Sequence, residues 1–359
     1  MVFVCGGTGG HVFPALAIAE ETRKMYPQTK IKFIIKKGGF EEKVVKQAGF
    51  LFDGIRAEGF NRSRPLINLR LIYILPMGFV KSFVILLQSK PKLVISTGGY
   101  SGVPVLLSAV IQKRQIALQE QNSYPGITVR FFARFAKVVF IACNEARNYL
   151  PKRVKIIEAG NPMRASTGGI EKNLRKEYGL AETDRVLFIF GGSQGARGIN
   201  NVIKKEVARI VGSQRVVIFW QTGKPDYEEI KIAMSGLGRV HIFPFIENIY
   251  DFYRAADLAV CRAGAMTISE LGKFGVPAVF VPLPTAAEDH QKKNAEMVER
   301  NGAGICIDQS QANEKLFNTV SALLNDDVRL KKMSDKMGKL FHGNAASDIA
   351  TELERMMAA

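Results

Sequence analysis

The residues best suited to chemistry lie in a glycine loop near the start of the chain, Gly6-Gly-Thr-Gly-Gly10. The apolar run of residues 2–5 before it predicts a buried parallel strand, and residues 15–21 after it have a helix-like pattern. A strand, a loop and a helix in this order leave backbone N–H groups at a helix N-terminus, where they suit a phosphate. His11 follows the loop and is a candidate general base, because an imidazole titrates near neutral pH. The alternative is that His11 only caps or braces the loop.

The same arrangement returns in the second half of the chain, where Gly191-Gly-Ser-Gln-Gly195 follows a second apolar run. Further on, a strand ending at Cys261 leads through a turn of small residues to a helix predicted to start near Ala265. The first N–H groups of that helix can hold a diphosphate. Glu270 lies about one turn further on, where its carboxylate can accept hydrogen bonds from both hydroxyls of a ribose. The alternative is that Glu270 only offsets the helix dipole.

Other chemistries fit the sequence poorly. A dinucleotide site needs G-x-G-x-x-G and an acidic residue after the second strand, whereas this strand ends in Lys36-Lys37. Those lysines leave only a weak case for NADP, and no P-loop motif occurs. The four cysteines are scattered without a CxxC, and there is no HExxH, so we expect no metal site, no cofactor and a reducing compartment. The apolar start has no basic region before it, so we expect no signal peptide.

Strand-like runs alternate with helical patterns along the whole chain, which predicts an α/β fold with parallel sheets. A chain of 359 residues exceeds what one core usually supports, so we expect two domains. Asn161-Pro-Met-Arg164 is a natural junction, since the residue before a proline resists helix. We therefore predict domains at 1–163 and 164–339, with a C-terminal helix in 340–359 returning to the first. The predicted strands are residues 31–35, 93–96, 115–118, 138–142, 186–190, 216–220, 240–243, 258–261 and 278–281.

The net charge of +17 is concentrated in the first domain. Residues 1–163 hold 24 basic and 9 acidic residues, a net of +15, and no acidic residue occurs between Glu58 and Glu120. A basic face of this kind suits an anionic polymer or an anionic membrane. The alternative is a solvated surface with no specific partner.

The apolar segment of residues 66–87 is interrupted by Arg70, Pro76 and Lys81, whereas a transmembrane helix needs about 20 apolar residues with few charges. A membrane span and ordinary buried helices are the alternatives. We favour a helical hairpin or kinked helix that exposes apolar residues such as Ile72, Leu75, Phe79 and Phe83. Residues 62–92 would then rest on an anionic membrane surface without crossing it. The basic residues around this segment are Arg62, Arg64, Arg70, Lys81, Lys90 and Lys92.

Several motifs occur together and in order, and together they resemble the MurG family, the glycosyltransferases that convert lipid I to lipid II in peptidoglycan synthesis. The resemblance implies the GT-B fold, in which two Rossmann-like domains with parallel sheets face a central cleft. It also implies UDP-GlcNAc as donor and undecaprenyl-diphosphate-MurNAc-pentapeptide, lipid I, as acceptor. The motifs are Gly6–His11, Thr97-Gly-Gly-Tyr-Ser-Gly102, Glu120-Gln-Asn122, Gly160-Asn-Pro-Met-Arg164, Gly191-Gly-Ser-Gln-Gly-Ala196, Arg262–Glu270 and Asp289-His-Gln291.

The resemblance implies an inverting, metal-independent transfer, with His11 as the preferred base. Glu120 is the rival base or a buried partner for a neighbouring amide. Two positions depart from the family pattern: Gln119 stands where a histidine often precedes Glu-Gln-Asn, and His290 replaces the first of a usual Gln-Gln pair. The donor contacts that the resemblance implies are Thr8, Gly9, Gly10, Asn122, Arg164, Ser193, Ile246, Ala265, Met266, Thr267, Ile268, Ser269, Glu270 and Gln291.

The resemblance places the protein at the cytoplasmic face of the plasma membrane as a peripheral protein. Its expected partners are the two substrates, the anionic membrane surface and other cell-wall synthesis proteins, with no nucleic acid. Two other hypotheses stay open. One is a glycosyltransferase of the same fold with another lipid acceptor, such as diacylglycerol. The other is a nucleotide-binding or membrane-adaptor protein without catalysis.

Overall fold

The computed structural model describes residues 1–59, 65–164, 171–192, 194–212 and 215–358. The chain divides into two compact units. The first comprises Met1–Ala165 together with His342–Ala359, and the second comprises Ser166–Phe341. The junction that Asn161-Pro162 indicates in the sequence therefore lies just before the point where the first unit ends.

The first unit contains a seven-stranded parallel sheet in its described residues, with strand order β3-β2-β1-β4-β5-β6-β7. Its strands are β1 Val2–Val4, β2 Lys32–Lys36, β3 Leu51–Ile55, β4 Leu93–Ser96, β5 Gln115–Glu120, β6 Val138–Ile141 and β7 Lys155–Glu158. Its helices before the junction are α1 Gly9–Met25, α2 Phe40–Gln47, α3 Leu71–Ser89, α4 Gly102–Ile111 and α5 Ile127–Phe132.

The second unit contains a six-stranded parallel sheet in its described residues, with order β10-β9-β8-β11-β12-β13. The strands are β8 Arg185–Phe190, β9 Val216–Gln221, β10 Val240–Phe243, β11 Leu258–Cys261, β12 Ala278–Phe280 and β13 Gly304–Cys306. The helices are α6 Leu174–Glu177, α7 Arg197–Gly212, α8 Lys224–Ala233, α9 Ile249–Ala255, α10 Ala265–Phe274, α11 His290–Arg300, α12 Ala312–Leu324 and α13 Asp327–Lys339. The last helix, α14 Ala345–Ala358, belongs to the first unit.

Alternate residues of β1 pack into two separate apolar cores. Phe3 packs with Leu16 of α1 and Ile349 of α14, whereas Val2 and Val4 pack with residues of α3 and α4. Because helices cover both faces of the sheet, its central strands are apolar throughout, as parallel strands usually are. The predicted site residues of the first unit lie at or just beyond the carboxyl ends of the strands in this sheet.

The two parallel sheets confirm the predicted α/β fold, and each predicted strand is present within a residue or two. Three strands were not predicted: β3, β7 and β13. One helix boundary was also wrong, because α1 begins at Gly9, inside the glycine loop, rather than near residue 15. The carbonyl of Thr8 accepts hydrogen bonds from the N–H groups of His11 and Val12, which starts the helix early.

The segment predicted as a hairpin or kinked helix forms a short 3-10 helix, Pro65–Arg70, followed by the single helix α3 with Pro76 inside it. The helical stretch Asn68–Ser89 is long and apolar enough to cross a membrane, with a mean hydropathy of 1.8, although buried core helices can meet the same criterion. Its buried residues include Ile74, Gly78 and Ser82, which recur at helical spacing and therefore form one packed face. Apolar residues also occupy the opposite face, and the exposed ones include Ile72, Tyr73, Met77, Val80, Val84 and Leu87.

Candidate active site

The first glycine loop leads directly from β1 into α1. Gly7 has a φ of 95°, which favours glycine, and Thr8 is extended and occupies the N-cap position of the helix. Gly9 and Gly10 are the first helical residues, and their N–H groups precede the first intrahelical hydrogen bond. Thr8 and Gly10 are exposed and Gly9 is half-buried. The loop therefore presents a helix N-terminus at Gly9 and Gly10, and the predicted contact of Thr8, Gly9 and Gly10 with the donor stays a prediction.

A second glycine turn packs against the first. Gly98 and Gly99 follow β4, the neighbour of β1, with φ values of 93° and 88°. A Cβ atom on Gly99 would collide with the carbonyl oxygen of Gly6, and one on Gly98 would lie 3.1 Å from Nδ1 of His11. Glycine at both positions lets the turn approach the histidine, so the two glycine motifs form one surface.

His11 is held by two oxygen atoms on one side of its ring. Nδ1 lies 2.9 Å from the carbonyl oxygen of Thr97 and 3.0 Å from Oε1 of Gln121. A carbonyl oxygen can only accept, so Nδ1 carries the proton and Nε2 holds the lone pair of the neutral ring. The amide nitrogen of Gln121 also donates to Thr97 O at 2.8 Å, which fixes the orientation of the amide. The ring is thus prepared to accept a proton at Nε2.

Burial lowers the pKa of His11 below the ordinary value of 6.5, and hydrogen bonds to Gln121 and Thr97 oppose this shift. The imidazole is therefore neutral at pH 7, the state that a general base needs. The alternative role, bracing the loop, is served by the same contacts, since Thr97 Oγ1 also donates to the His11 carbonyl at 2.7 Å. Gln121 was not predicted as a site residue, although it stands inside the motif Glu120-Gln-Asn122.

Glu120 is a buried carboxylate that organises the loop after β5. Its Oε1 accepts from the backbone and side-chain nitrogens of Asn122, both at 2.9 Å, and its Oε2 accepts from the Gly126 N–H at 2.9 Å. Burial raises the pKa of Glu120, and these hydrogen bonds lower it. Both oxygens are engaged, so the contacts favour the hypothesis of a buried partner over that of a second base. Asn122, predicted to contact the donor, contacts Glu120 here.

Gln119, the position where the family often has histidine, is fully buried at the end of β5. Its amide lies 3.4 Å from Asn161 Oδ1 and also accepts a hydrogen bond from Gln121. The residue therefore supports the side chain that orients His11.

The second glycine loop follows β8, and its Ser193 lies outside the described residues. Gly192 and Gly195 have φ values of 89° and 76°. Gln221, at the end of β9, donates to Gly192 O at 2.9 Å and accepts from the Ile246 N–H at 2.8 Å. The N–H group of Ile246 is thus bonded to Gln221, and the predicted contact of Ile246 with the donor stays a prediction. The side chain of Ile246 is buried.

Helix α10 begins after Gly264, close to the predicted position Ala265. Its first intrahelical hydrogen bond runs from the Ile268 N–H to Gly264 O, so the N–H groups of Met266 and Thr267 come before it. These two groups are suited to a diphosphate. Ser269 Oγ donates back to Ala265 O at 3.2 Å. The side chain of Ile268 is buried, and its predicted contact with the donor stays a prediction.

Glu270 is bound by a tyrosine that the sequence did not indicate. The buried hydroxyl of Tyr253 donates to Glu270 Oε2 at 2.9 Å. Burial raises the pKa of Glu270 to about 7, while Tyr253 and Lys273 lower it. Oε1 has no partner in the described part of the chain. One carboxylate oxygen therefore remains for a ligand hydroxyl.

The loop before α11 has an unusual backbone. Glu288 and Asp289 are successive non-glycine residues with φ values of 52° and 54°, a conformation that costs free energy and clusters at functional sites. Gln291 Oε1 accepts a hydrogen bond from the Leu283 N–H at 3.0 Å. This contact leaves the amide nitrogen of Gln291 as the group that can donate to a sugar. His290 is half-buried, with Nδ1 2.6 Å from Ala287 O.

Arg164 forms an ion pair with Glu20 within the first unit. Its Nε and Nη2 donate to the two oxygens of Glu20 on α1 at 2.9 and 2.6 Å. The predicted contact of Arg164 with the donor would require this bidentate pair to open. No group of three metal-ligating side chains comes together among the described residues.

Each unit thus places a glycine loop at the carboxyl end of a parallel sheet, where open α/β sheets bind ligands. One unit adds a neutral histidine, and the other adds a helix N-terminus followed by a carboxylate, an arrangement suited to a nucleoside diphosphate. The fold and these groups define a glycosyltransferase that uses a nucleotide sugar.

Comparisons with known proteins agree with this class. Residues 1–141 match the glycosyltransferase family 28 N-terminal domain, and residues 186–353 match the glycosyltransferase family 28 C-terminal domain. Two relatives are each named UDP-N-acetylglucosamine--N-acetylmuramyl-(pentapeptide) pyrophosphoryl-undecaprenol N-acetylglucosamine transferase. The relative from Chlorobium phaeobacteroides is 36% identical over 99% of both chains. The one from Flavobacterium psychrophilum is 38% identical over 98% of this chain and 96% of the relative.

Among solved structures, MurG from Acinetobacter baumannii superposes with a TM-score of 0.78 and 26% identity over 99% of both chains. The chain therefore belongs to glycosyltransferase family 28 and, within it, to the MurG family. Both the recognised family and the GT-B fold class are confirmed.

Proposed function

We propose that this protein transfers GlcNAc from UDP-GlcNAc to the MurNAc 4-hydroxyl of lipid I, with inversion at C1, and so makes lipid II for peptidoglycan synthesis. The observation that carries the proposal is the similarity to relatives of this one activity along nearly the entire chain. The neutral His11 and the open oxygen of Glu270 supply the chemistry that the transfer needs. The protein is a metal-independent hexosyltransferase in this account.

The chemical step requires a base. Nε2 of His11 accepts the proton of the acceptor 4-hydroxyl as the oxygen attacks C1 of GlcNAc. The bond between C1 and the phosphate oxygen breaks, and UDP leaves from the opposite face. The hydrogen bonds to Thr97 and Gln121 keep the lone pair on Nε2 and support the imidazolium that forms.

The leaving diphosphate requires positive potential. The N–H groups of Met266 and Thr267 at the start of α10 supply it, together with the helix dipole. Oε1 of Glu270 accepts hydrogen bonds from the ribose hydroxyls, and the amide nitrogen of Gln291 donates a hydrogen bond to the sugar. Titration of the full chain should show that UDP binds more tightly than ADP or NADPH. Equal or tighter binding of ADP would contradict a uridine site.

The acceptor carries a lipid that cannot leave the bilayer, so the protein acts as a peripheral protein on the anionic, cytoplasmic surface of the plasma membrane. The exposed apolar face of α3 supports this part of the proposal, as do Arg70, Lys81, Lys90 and Lys92 around it. Each basic residue near an anionic surface contributes about 1 kcal/mol. The four free cysteines suit a reducing compartment. Other cell-wall synthesis proteins would meet the enzyme there.

Membrane contact is tested by flotation with neutral and anionic liposomes. Ile72 and Val80 are 73% and 59% exposed, so Ile72→Ser and Val80→Ser should weaken flotation without harming the core. Phe79 and Phe83 are poorer choices because they are half-buried and pack against each other. Ile232→Ser is the matched control, since Ile232 is 72% exposed in the second unit. Flotation that is equal in all these variants would place the contact elsewhere.

The other two hypotheses make different predictions. A diacylglycerol glycosyltransferase would glycosylate diacylglycerol in vesicles in preference to lipid I. A non-catalytic adaptor would bind UDP without turnover. The neutral base at His11 disfavours the adaptor, because binding alone does not require it.

A further inference from the structure

A surface cavity of about 590 Å³ in the first unit has no part in the mechanism above. It lies between the ends of β2 and β3 and the middle of α3. Three cations line it, Lys37, Arg56 and Lys81, beside the apolar side chains of Met77 and Val80. Lys37 and Arg56 lie outside the helix that was predicted to contact the membrane.

The three cations lack a compensating negative charge. No carboxylate of the described residues forms an ion pair with Lys37, Arg56 or Lys81, and none lines the cavity in the described part of the chain. Lys81 donates to the Gly54 carbonyl, and Arg56 Nη1 contacts the Met77 sulfur at 3.8 Å. A guanidinium and two ammonium groups have further donors to offer. Like charges held in one cavity repel each other, so an anion that binds there relieves this cost.

The cavity walls are fixed by backbone packing. A Cβ atom on Gly78 would lie 2.5 Å from the Arg56 carbonyl oxygen, so the helix rests directly on the chain after β3. The Lys37 N–H donates to Ile55 O at 2.9 Å. The cations are thus carried by a rigid frame at the carboxyl edge of the sheet.

Strand register sets the distance from this cavity to the glycine loop. Val4 pairs with Ile34, and Lys36 pairs with Ile55, so residues 36 and 55 lie level with Gly6. Two strand spacings separate β1 from β3, about 10 Å. We take this separation as short enough for one acceptor sugar to reach from the glycine loop to the cavity.

We propose that the cavity binds the diphosphate of the lipid-linked acceptor and leads its polyprenyl chain onto the exposed apolar face of α3. This inference rests on the proposed function. The three cations more than neutralise the two negative charges of a diphosphate esterified at both ends, and the apolar residues Met77 and Val80 line the same cavity. A phospholipid headgroup shares the phosphate chemistry, but it does not require the cavity to lie one sugar away from the glycine loop.

The test replaces Lys37 and Arg56 by glutamine and measures transfer to a short-chain, water-soluble lipid I analogue. The KM for the acceptor should rise about tenfold or more for each cation removed, as for a lost charge-assisted hydrogen bond. The kcat and the KM for UDP-GlcNAc should be unchanged. Lys46→Gln on α2 is the control, because Lys46 is an exposed cation that does not line the cavity. An acceptor with one phosphate should bind the wild type more weakly and respond less to the substitutions.

An unchanged acceptor KM in the double variant overturns the proposal. So does a variant that keeps this KM but loses flotation on anionic vesicles, because the occupant would then be a phospholipid headgroup. If the wild type transfers nothing to the analogue, the proposed function fails first. The cavity is then tested with inorganic pyrophosphate in the presence of saturating UDP. Binding should be weakened in the double variant, and equal binding refutes the site.

Discussion

Replacing Glu270 by alanine should weaken UDP binding in a pH-dependent way. The structure leaves only Oε1 for the ribose, because Tyr253 occupies Oε2. A hydrogen bond to a charged group contributes about 1.5–3 kcal/mol, so we expect a loss of about 10- to 150-fold in affinity at pH 8. The change removes one acceptor and leaves the N–H groups at the start of α10 in place.

The pH dependence follows from the raised pKa of Glu270, about 7. The carboxylate is the stronger acceptor, so the affinity of the wild type should fall as the pH drops through about 7. At pH 6 roughly one tenth of the carboxyl groups are ionised, and most of the difference between wild type and alanine variant should disappear. Tyr253→Phe removes a hydrogen bond that lowers this pKa, so the midpoint should move to higher pH.

Isothermal titration with UDP between pH 6 and 8.5 measures both effects. Glu270→Gln is the matched variant, since it keeps an acceptor oxygen but cannot ionise, and its affinity should not follow this pH midpoint. A wild-type affinity that is flat across the range, or an alanine variant that binds UDP like the wild type, would refute the ribose role. Glu270 would then only offset the dipole of helix α10.

The catalytic and leaving-group assignments make further predictions. His11→Ala should lower kcat about 100- to 10,000-fold with little change in UDP affinity, and an equal loss in both would indicate a loop brace. The acidic limb of the kcat profile should lie below pH 6.5, because burial lowers the pKa of His11. Gln121→Leu removes a hydrogen bond that raises this pKa, so the limb should move to still lower pH. Turnover should persist in excess EDTA, because in the proposed mechanism backbone N–H groups hold the diphosphate; loss on chelation that magnesium restores would contradict this. Ile72→Ser and Val80→Ser should reduce flotation on anionic liposomes, whereas Ile232→Ser should not.

The sequence predicted the central strands and missed strands at the sheet edges. β3, β7 and β13 each lie at an edge. Much of β3 and β7 is only half-buried or exposed, so neither strand needs the continuous apolar run that marks a strand covered on both faces. The strand of residues 240–243 was the exception, an edge strand with enough aliphatic and aromatic residues to be recognised.

The glycine loops and His11 could be predicted because their signal is local. The partners of other site residues are distant in sequence and could not be. Glu20 lies 144 positions before Arg164, yet holds its guanidinium in a bidentate pair. Tyr253 and Glu270 lie on different helices, and no short motif joins them. Gln121 stood inside a quoted motif, but only the fold shows that it fixes the tautomer of His11.

Transfer of GlcNAc to lipid I is measured by supplying labelled UDP-GlcNAc with a short-chain lipid I analogue and isolating the product. We expect a β-linked GlcNAc-MurNAc disaccharide on the lipid diphosphate, formed by the wild type and formed much more slowly by His11→Ala. Transfer of the label to diacylglycerol in place of the lipid I analogue, or UDP binding with no transfer at all, would contradict the proposed transfer.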